Sequence, residues 1–298
     1  MRIKKQKTKK LRINGINPAH FDKSQLKFYA VLLPISFVMM LPIIFIFANA
    51  FKPIDELLAY PPRFYVKNPT WDSFRMLFSL SSGTSVPAVR YLFNSILTSV
   101  IVVLLTILIS VAAGFALSKK NFRGRTVLFD INKTALMFVS VAVSIPRYFI
   151  IVYTGIYNTF WANIIPLLVV PTGVFLVKQF IDQLPNELIE AAKIDGASDF
   201  KILARVVFPL IKPTLATLTI LSFQSVWNNV ETSNLYIDNE AFKTFAFYMS
   251  SLTSVTSGSV AGQGVSAAAT LIMFLPNLVL FIILQSRVMN TMAHSGIK

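Results

Sequence analysis

The segment Glu187–Pro213 reads ELIEAAKIDGASDFKILARVVFPLIKP and holds the best-organised set of charged and small residues in the chain. Glu190 stands before the paired alanines Ala191 and Ala192; Asp195, Gly196 and Ala197 follow, and Pro209 closes the run. The chemistry this permits is contact and not catalysis: a carboxylate for a basic partner, beside a face small enough to enter a groove. A second set is Arg147 with Gln224, Trp227, Asn228 and Asn229. An indole face and three amides could stack on and hydrogen-bond a polar solute, or could equally satisfy contacts between helices. Arg147 could line the same path, or snorkel outward, or pair with a carboxylate such as Glu231.

Catalytic and metal chemistry find little support. The chain has no Cys, and its two histidines, His20 and His294, lie at opposite ends. None of the eleven glycines belongs to a G-x-x-x-x-G-K-[ST] phosphate loop. Gly262-Gln263-Gly264 is too short for a nucleotide fingerprint and reads as a flexible entry to a helix. A membrane-embedded enzyme would need convergent carboxylates, histidines or a metal cluster, and no such pattern stands out.

The elements that must position these residues are set by composition. Of 298 residues 54% are hydrophobic and only 14% charged, with a mean hydropathy of +0.63, more apolar surface than a soluble domain can hide. The formal charge of +15 could suggest nucleic acid, but the cations gather at the ends of apolar runs, as topology signals do. Arg2, Lys4, Lys5, Lys7, Lys9, Lys10, Arg12, Lys23 and Lys27 make residues 1–27 a basic tail. The apolar run that follows has no small-residue cleavage site and reads as a retained anchor.

Six spans can be drawn over residues 28–298: Phe28–Phe51, Tyr91–Ser118, Thr134–Tyr153, Phe160–Phe180, Leu210–Asn229 and Gly264–Ser286. An all-α integral membrane protein is therefore expected. Putting the N-terminal tail inside also puts Lys119, Lys120, Arg123, Arg125, Lys178, Lys193, Lys201, Arg205 and Lys212 inside, so both termini are expected in the cytoplasm. That orientation places the Glu187–Pro213 insert on the cytoplasmic side as well.

Within the insert, Asn186 is a possible helix cap and Gly196 suits the left-handed residue that stops the helix. Ser198 or Asp199 can cap a second helix, with Phe200, Leu203, Val206 and Val207 as its apolar face, until Pro209 ends or kinks it. A helix, a glycine elbow and a second helix should lie at the membrane surface. The plainer alternative is an amphipathic helix resting on the bilayer.

The Glu190-Ala191-Ala192 and Asp195-Gly196-Ala197 pattern, continued to Phe208-Pro209, closely resembles the EAA loop of ABC-importer permeases, and EAAKIDGAS resembles the maltose-type, carbohydrate-uptake branch. Tyr91-Leu92-Phe93-Asn94-Ser95, Phe122-Arg123-Gly124, Ile145-Pro146, Phe175–Phe180 and Trp227-Asn228 carry the resemblance along most of the chain. Val207-Phe208-Pro209 stands where the family usually has a Leu-Pro ending.

The resemblance implies a coupling loop at about 185–209 that docks into a separate ATPase, with Glu190 making the charged contact and Gly196 fixing the elbow. It further implies a second homologous permease, two ABC ATPases that bind the ATP and Mg, and an extracytoplasmic sugar-binding protein. No cofactor is expected in this chain, and no nucleic acid. The implied setting is the cytoplasmic membrane of a bacterium and the implied cargo a sugar or oligosaccharide, with a non-sugar solute as the alternative. The Glu231–Gly262 stretch is a candidate contact for the binding protein, or a structural cap over the pore.

Overall fold

The computed structural model describes residues 26–80, 86–168, 170–256 and 260–295; most of the basic tail lies outside them. By its contacts the chain divides into a first unit, Met1–Phe45, and a second, Ile46–Lys298. In the first unit residues 26–45 are one continuous helix. Its large side chains are apolar on every side and exposed, among them Val31, Leu33, Phe37 and Met39. Such a surface suits hydrocarbon and not water. This helix, α1, spans Leu26–Phe51.

The second unit continues with α2 (Ile54–Leu57), α3 (Asp72–Leu80), α4 (Ala88–Lys119), α5 (Arg125–Ala135), α6 (Ser144–Tyr153) and α7 (Pro171–Asp182). The elements α8 (Asn186–Ile194), α9 (Asp199–Ile202), α10 (Phe208–Leu210), α11 (Lys212–Trp227), α12 (Glu231–Leu235), α13 (Phe245–Thr256) and α14 (Val260–Ser295) complete it. Short 3₁₀ turns join several of them, and the described residues contain no strand.

The 32-residue α4 is built inside out relative to a helix in water. Asn94, Ser95, Thr98, Ser99, Thr106, Ser110 and Ser118 are buried, while Phe93, Ile96, Val100, Leu104 and Leu108 are exposed. Small polar residues at three- and four-residue spacing let neighbouring helices approach closely, and the bulky aliphatic face is left for lipid. Gly114 meets α7 on this seam, and Gly173 of α7 meets Ser110.

The two largest of its apolar clusters join most of the helices of this unit. One joins Leu77, Tyr91, Phe245, Tyr248, Val265 and Ala268 from α3, α4, α13 and α14. Tyr91 and Tyr248 stack there with centroids 5.0 Å apart, and the Tyr248 hydroxyl donates to the Leu77 carbonyl at 3.0 Å. The other joins Val111, Phe115, Val177, Ile181, Leu215 and Leu218 of α4, α7 and α11 to Ile189, Ile202 and Val207.

Among the described residues three helices, Leu26–Phe51, Ala88–Lys119 and Gly262–Ser286, are long and apolar enough to cross a membrane. Counting two bent pairs as single spans, Phe160–Leu168 with Pro171–Asp182 and Asp199–Leu210 with Lys212–Leu235, gives five. The expected third span, Thr134–Tyr153, is not one helix. The amphipathic α5 ends at Ala135, Val139 is extended (φ −79°, ψ 135°), and only a short apolar helical stretch, Val141–Tyr153, follows. Val139, Ser140, Val141, Val143 and Ser144 weaken helix propensity here, and Pro146 is accommodated in the first turn of α6.

Candidate functional site

The Glu187–Pro213 insert folds as the helix, elbow and second helix expected. Asn186 is the first residue of α8 and not its cap; Pro185 holds the capping position, and the Asn186 side chain serves a different bond. The helix ends in a Schellman motif, with Gly196 N–H donating to Lys193 O (3.0 Å) and Ala197 N–H to Ala192 O (2.9 Å). Gly196 has φ +75°, the left-handed conformation that the motif requires.

The hairpin presents two faces. Ile189, Ile202 and Val207 are buried and Ala192, Leu203 and Val206 pack around them. Glu190, Ala191, Ile194 and Phe200 are exposed, Ile194 at 86% and Phe200 at 78%. Of the apolar face expected for the second helix, Phe200 stands outward, and Ile202 is the residue buried against the cluster. The two alanines also separate, with Ala191 outward and Ala192 half-buried. Glu190 makes no ion pair among the described residues.

Beyond α9 one π turn covers Leu203–Val207, immediately before Pro209. Proline offers no N–H for the ordinary i−4 bond, and a local π turn is one way a helix absorbs this. The chain then bends by 82° into α11. Ile211 marks the bend, and Pro213 sits in the first turn of α11, where a missing donor costs little.

The end of α4 reaches both arms of the hairpin. Ser118 Oγ donates to Asp182 Oδ1 (2.6 Å), whose other oxygen accepts from Lys178 Nζ (2.6 Å). Lys119 Nζ donates to Leu184 O (2.7 Å) and Asn186 Oδ1 (2.8 Å), and Lys120 pairs with Asp199. The lysines entered the sequence reading only as topology charges, and no local pattern marks them, since their partners lie 65 to 79 residues away. An exposed pair such as Lys120–Asp199 contributes about 0–1 kcal/mol, whereas a buried aliphatic side chain contributes about 1.5–3 kcal/mol. The apolar cluster thus supplies attachment, and the lysines supply direction.

The second set is only partly open. Arg147 on α6 forms an ion pair with Glu231 at 3.6 Å, one of the alternatives raised from sequence. It also lines a cavity of about 630 Å³ with Leu136, Phe138, Ile150, Pro171 and Thr172. Trp227 is 3% exposed and donates from Nε1 to Met273 O of α14 at 3.0 Å, with its ring stacked on Phe223. The Asn229 side-chain oxygen accepts from Thr232 N (3.0 Å) and Oγ1 (2.7 Å). Gln224 and Asn228 are exposed, with Asn228 donating to Gln224 O. Of the amide and aromatic stripe, these two are the members open to a solute.

At the opposite end of α4, a polar cluster holds the 231–245 region. Tyr91 OH donates to Glu240 Oε2 (2.8 Å), Asn94 Nδ2 to Ala241 O and Lys243 O (2.9 Å each), and Phe245 N–H to Ser95 Oγ (2.8 Å). Asn163 accepts from Thr232 and Ser233 and donates to Phe242 O. Tyr91, Asn94 and Ser95 entered the sequence reading only as part of a family resemblance, and no local pattern marks Thr232, Ser233 or their bonds to Asn163, because single asparagines and serines occur throughout the chain. Among the described residues no group of His, Cys, Asp and Glu could hold a metal ion.

Long lipid-compatible helices, two bent pairs and an exposed hairpin between them define a polytopic membrane protein. The chain belongs to the family of binding-protein-dependent transport system inner membrane components, whose profile matches residues 106–286. It is similar to protein LplC of Bacillus subtilis, 26% identical over 88% of this chain and 90% of that protein. It is also similar to the arabinooligosaccharides transport system permease protein AraQ of Halalkalibacterium halodurans, 26% identical over 89% of this chain and 93% of that protein. Its fold matches a crystal structure of a bacterial ABC transporter involved in import of the acidic polysaccharide alginate (TM-score 0.74, 22% identity, 90% of this chain and 98% of that one).

Proposed function

We propose that this chain is one of two permeases in an ATP-driven importer that carries a sugar or oligosaccharide across the cytoplasmic membrane of a bacterium. The observation that carries the reading is the outward face of the Gly196 hairpin, where exposed Glu190 and Ala191 stand beside Ile194 and Phe200. A carboxylate among exposed apolar side chains suits a groove on another protein with a basic residue in it. That groove belongs to an ATPase subunit; ATP and Mg are bound there and not by this chain. Asp195, Ala197 and Pro209 shape the hairpin that makes the contact, and Ala192 anchors it inward.

Relatives named for arabinooligosaccharide transport support a saccharide cargo. The family description supports an external binding protein as partner. Both termini are cytoplasmic in this reading, with residues 1–27 a basic tail and residues 28–298 the transport domain. Arg147, Gln224 and Asn228 are the open candidates for the solute path, with Trp227 and Asn229 shaping the wall behind them.

The test is purification of the chain from its native membrane in mild detergent, with mass spectrometry of what accompanies it. A second permease and an ATPase should co-purify, and Glu190→Lys should lose the ATPase and sugar uptake while still inserting in the membrane. Unimpaired uptake by Glu190→Lys would refute the docking role.

A further inference from the structure

Two adjacent lysines at the end of one helix grip opposite arms of the hairpin. Lys119 is the last residue of α4, and its ammonium bonds Leu184 O and Asn186 Oδ1 where α8 begins. Lys120 is already extended, at φ −110° and ψ 142°, and its ammonium pairs with Asp199 at the start of α9. The change from helical to extended backbone between the two sends their side chains to different elements. Ser118 adds a third link through Asp182, at the end of α7. Below them, Gly114 lies against the Val177 side chain and the Lys178 backbone, so α4 adds no side chain of its own where it meets α7.

We propose that Lys119 and Lys120 are positioning residues that clamp the hairpin to α4, so that helix and hairpin move as one body when the ATPases close. The inference rests on the hairpin being the ATPase-docking element. Without the clamp only the apolar cluster would hold the hairpin to α4, leaving its arms freer to pivot at Gly196 and at the Ile211 bend as an ATPase moves. With it, the displacement enters α4, which carries no internal proline, in contrast to α1 and α14. At about 1.5 Å per residue, the 28 steps from Tyr91 to Lys119 extend roughly 42 Å. The same rigid helix therefore reaches the Tyr91–Glu240 and Asn94–Lys243 bonds at its other end.

The decisive experiment uses the assembled importer with its partner permease, ATPases and loaded binding protein. This chain has no cysteine of its own, so Lys120→Cys with Asp199→Cys gives a unique pair within this subunit for a short, cleavable bifunctional thiol reagent. The cross-linked importer should keep its binding-protein-stimulated ATPase activity and sugar uptake. Loss of both on cross-linking, with recovery on cleavage, would show that helix and hairpin part during the cycle and would overturn the clamp.

In parallel, Lys119→Ala with Lys120→Ala should lower the ratio of stimulated to basal ATPase by about two- to fivefold, the scale set by exposed charge contacts. Lys120→Asp with Asp199→Lys should restore what either change alone removes. An unchanged ratio in the alanine pair also overturns the clamp. Glu190→Lys separates the two claims. If it abolishes stimulation while the lysine variants do not, only the clamp falls; if it too is silent, the docking reading falls with it. Should the alanine pair fail to assemble, the cross-linked importer decides.

Discussion

Gly114 of α4 and Val177 of α7 touch so closely that a Cβ on the glycine would stand 2.8 Å from Val177 Cγ1. The Lys178 backbone nitrogen would be 3.1 Å away, so relief by a side-chain rotation alone is blocked. Gly114→Ala should therefore destabilise the subunit by about 1–3 kcal/mol, the usual cost of overpacking, and Gly114→Leu by more. Thermal denaturation of the detergent-solubilised complex, followed by loss of monodispersity, measures it; an unchanged midpoint for Gly114→Leu would show that the two helices separate readily.

Gly196 presents the opposite case. No atom lies within 4 Å of a Cβ added there, so substitution meets open space and only the backbone resists, at φ +75°. Gly196→Ala should cost about 1 kcal/mol, Gly196→Asn less, and Gly196→Val more, because left-handed backbone tolerates these side chains in that order. Retention of the ATPase by the three variants on an affinity column should follow the same ranking. Equal retention would mean that docking imposes the turn and the chain does not prepare it.

The connection between α1 and α3 carries a pH dependence. Glu56 accepts from Lys67 N–H (3.0 Å) and Asn68 N–H (2.8 Å). The Lys67 N–H is the chief reason its carboxyl is held below the usual carboxylate range. A depressed folded value means that the ionised form favours the folded loop. The stabilisation is fully present above the unfolded value of about 4.3 and fades as pH falls through the lower folded value. Hydrogen exchange at Lys67 and Asn68 should therefore show constant structural protection from neutral pH to about 5, and a loss only once pH falls below the usual carboxylate range. Glu56→Gln, with one acceptor oxygen, should lose protection already at pH 7.

Arg147 and Glu231 form the ion pair that joins α6 to α12, with 28% and 36% of their side chains exposed. Changing either residue alone to alanine strands a partly buried charge. Each should lower the midpoint of the complex, and Arg147→Met with Glu231→Met should recover most of the loss. A bracing pair leaves sugar preference untouched in all three variants. A changed preference in Arg147→Ala would assign the guanidinium to the solute path.

Long apolar runs announced most of the architecture, because lipid imposes its requirement residue by residue. The ends of α1 and α4, the position of α14 and the left-handed Gly196 were all legible from local composition or local backbone demands. The broken third segment was not, since an apolar run looks the same whether its backbone is one helix or two. Phe200 was legible as part of an apolar stripe but its outward position was not, because helical spacing does not say which residues of a stripe a neighbour claims. Asn186 and Asp199 have their partners on α4 and just beyond it, and Trp227 has its partner on α14. Pairings over such separations are invisible to a reading along one chain.

The backbone switch between Lys119 and Lys120 makes residue counting along α4 a mechanical setting. A single residue inserted into an α-helix turns everything after it by about 100° and advances it by about 1.5 Å. An insertion upstream of Ser118 would leave the apolar exterior nearly as greasy as before, yet it would aim both ammonium groups away from their arms of the hairpin. The helix is thus indexed like a key cut to length: hydropathy tolerates the extra tooth, and the lock at its end does not.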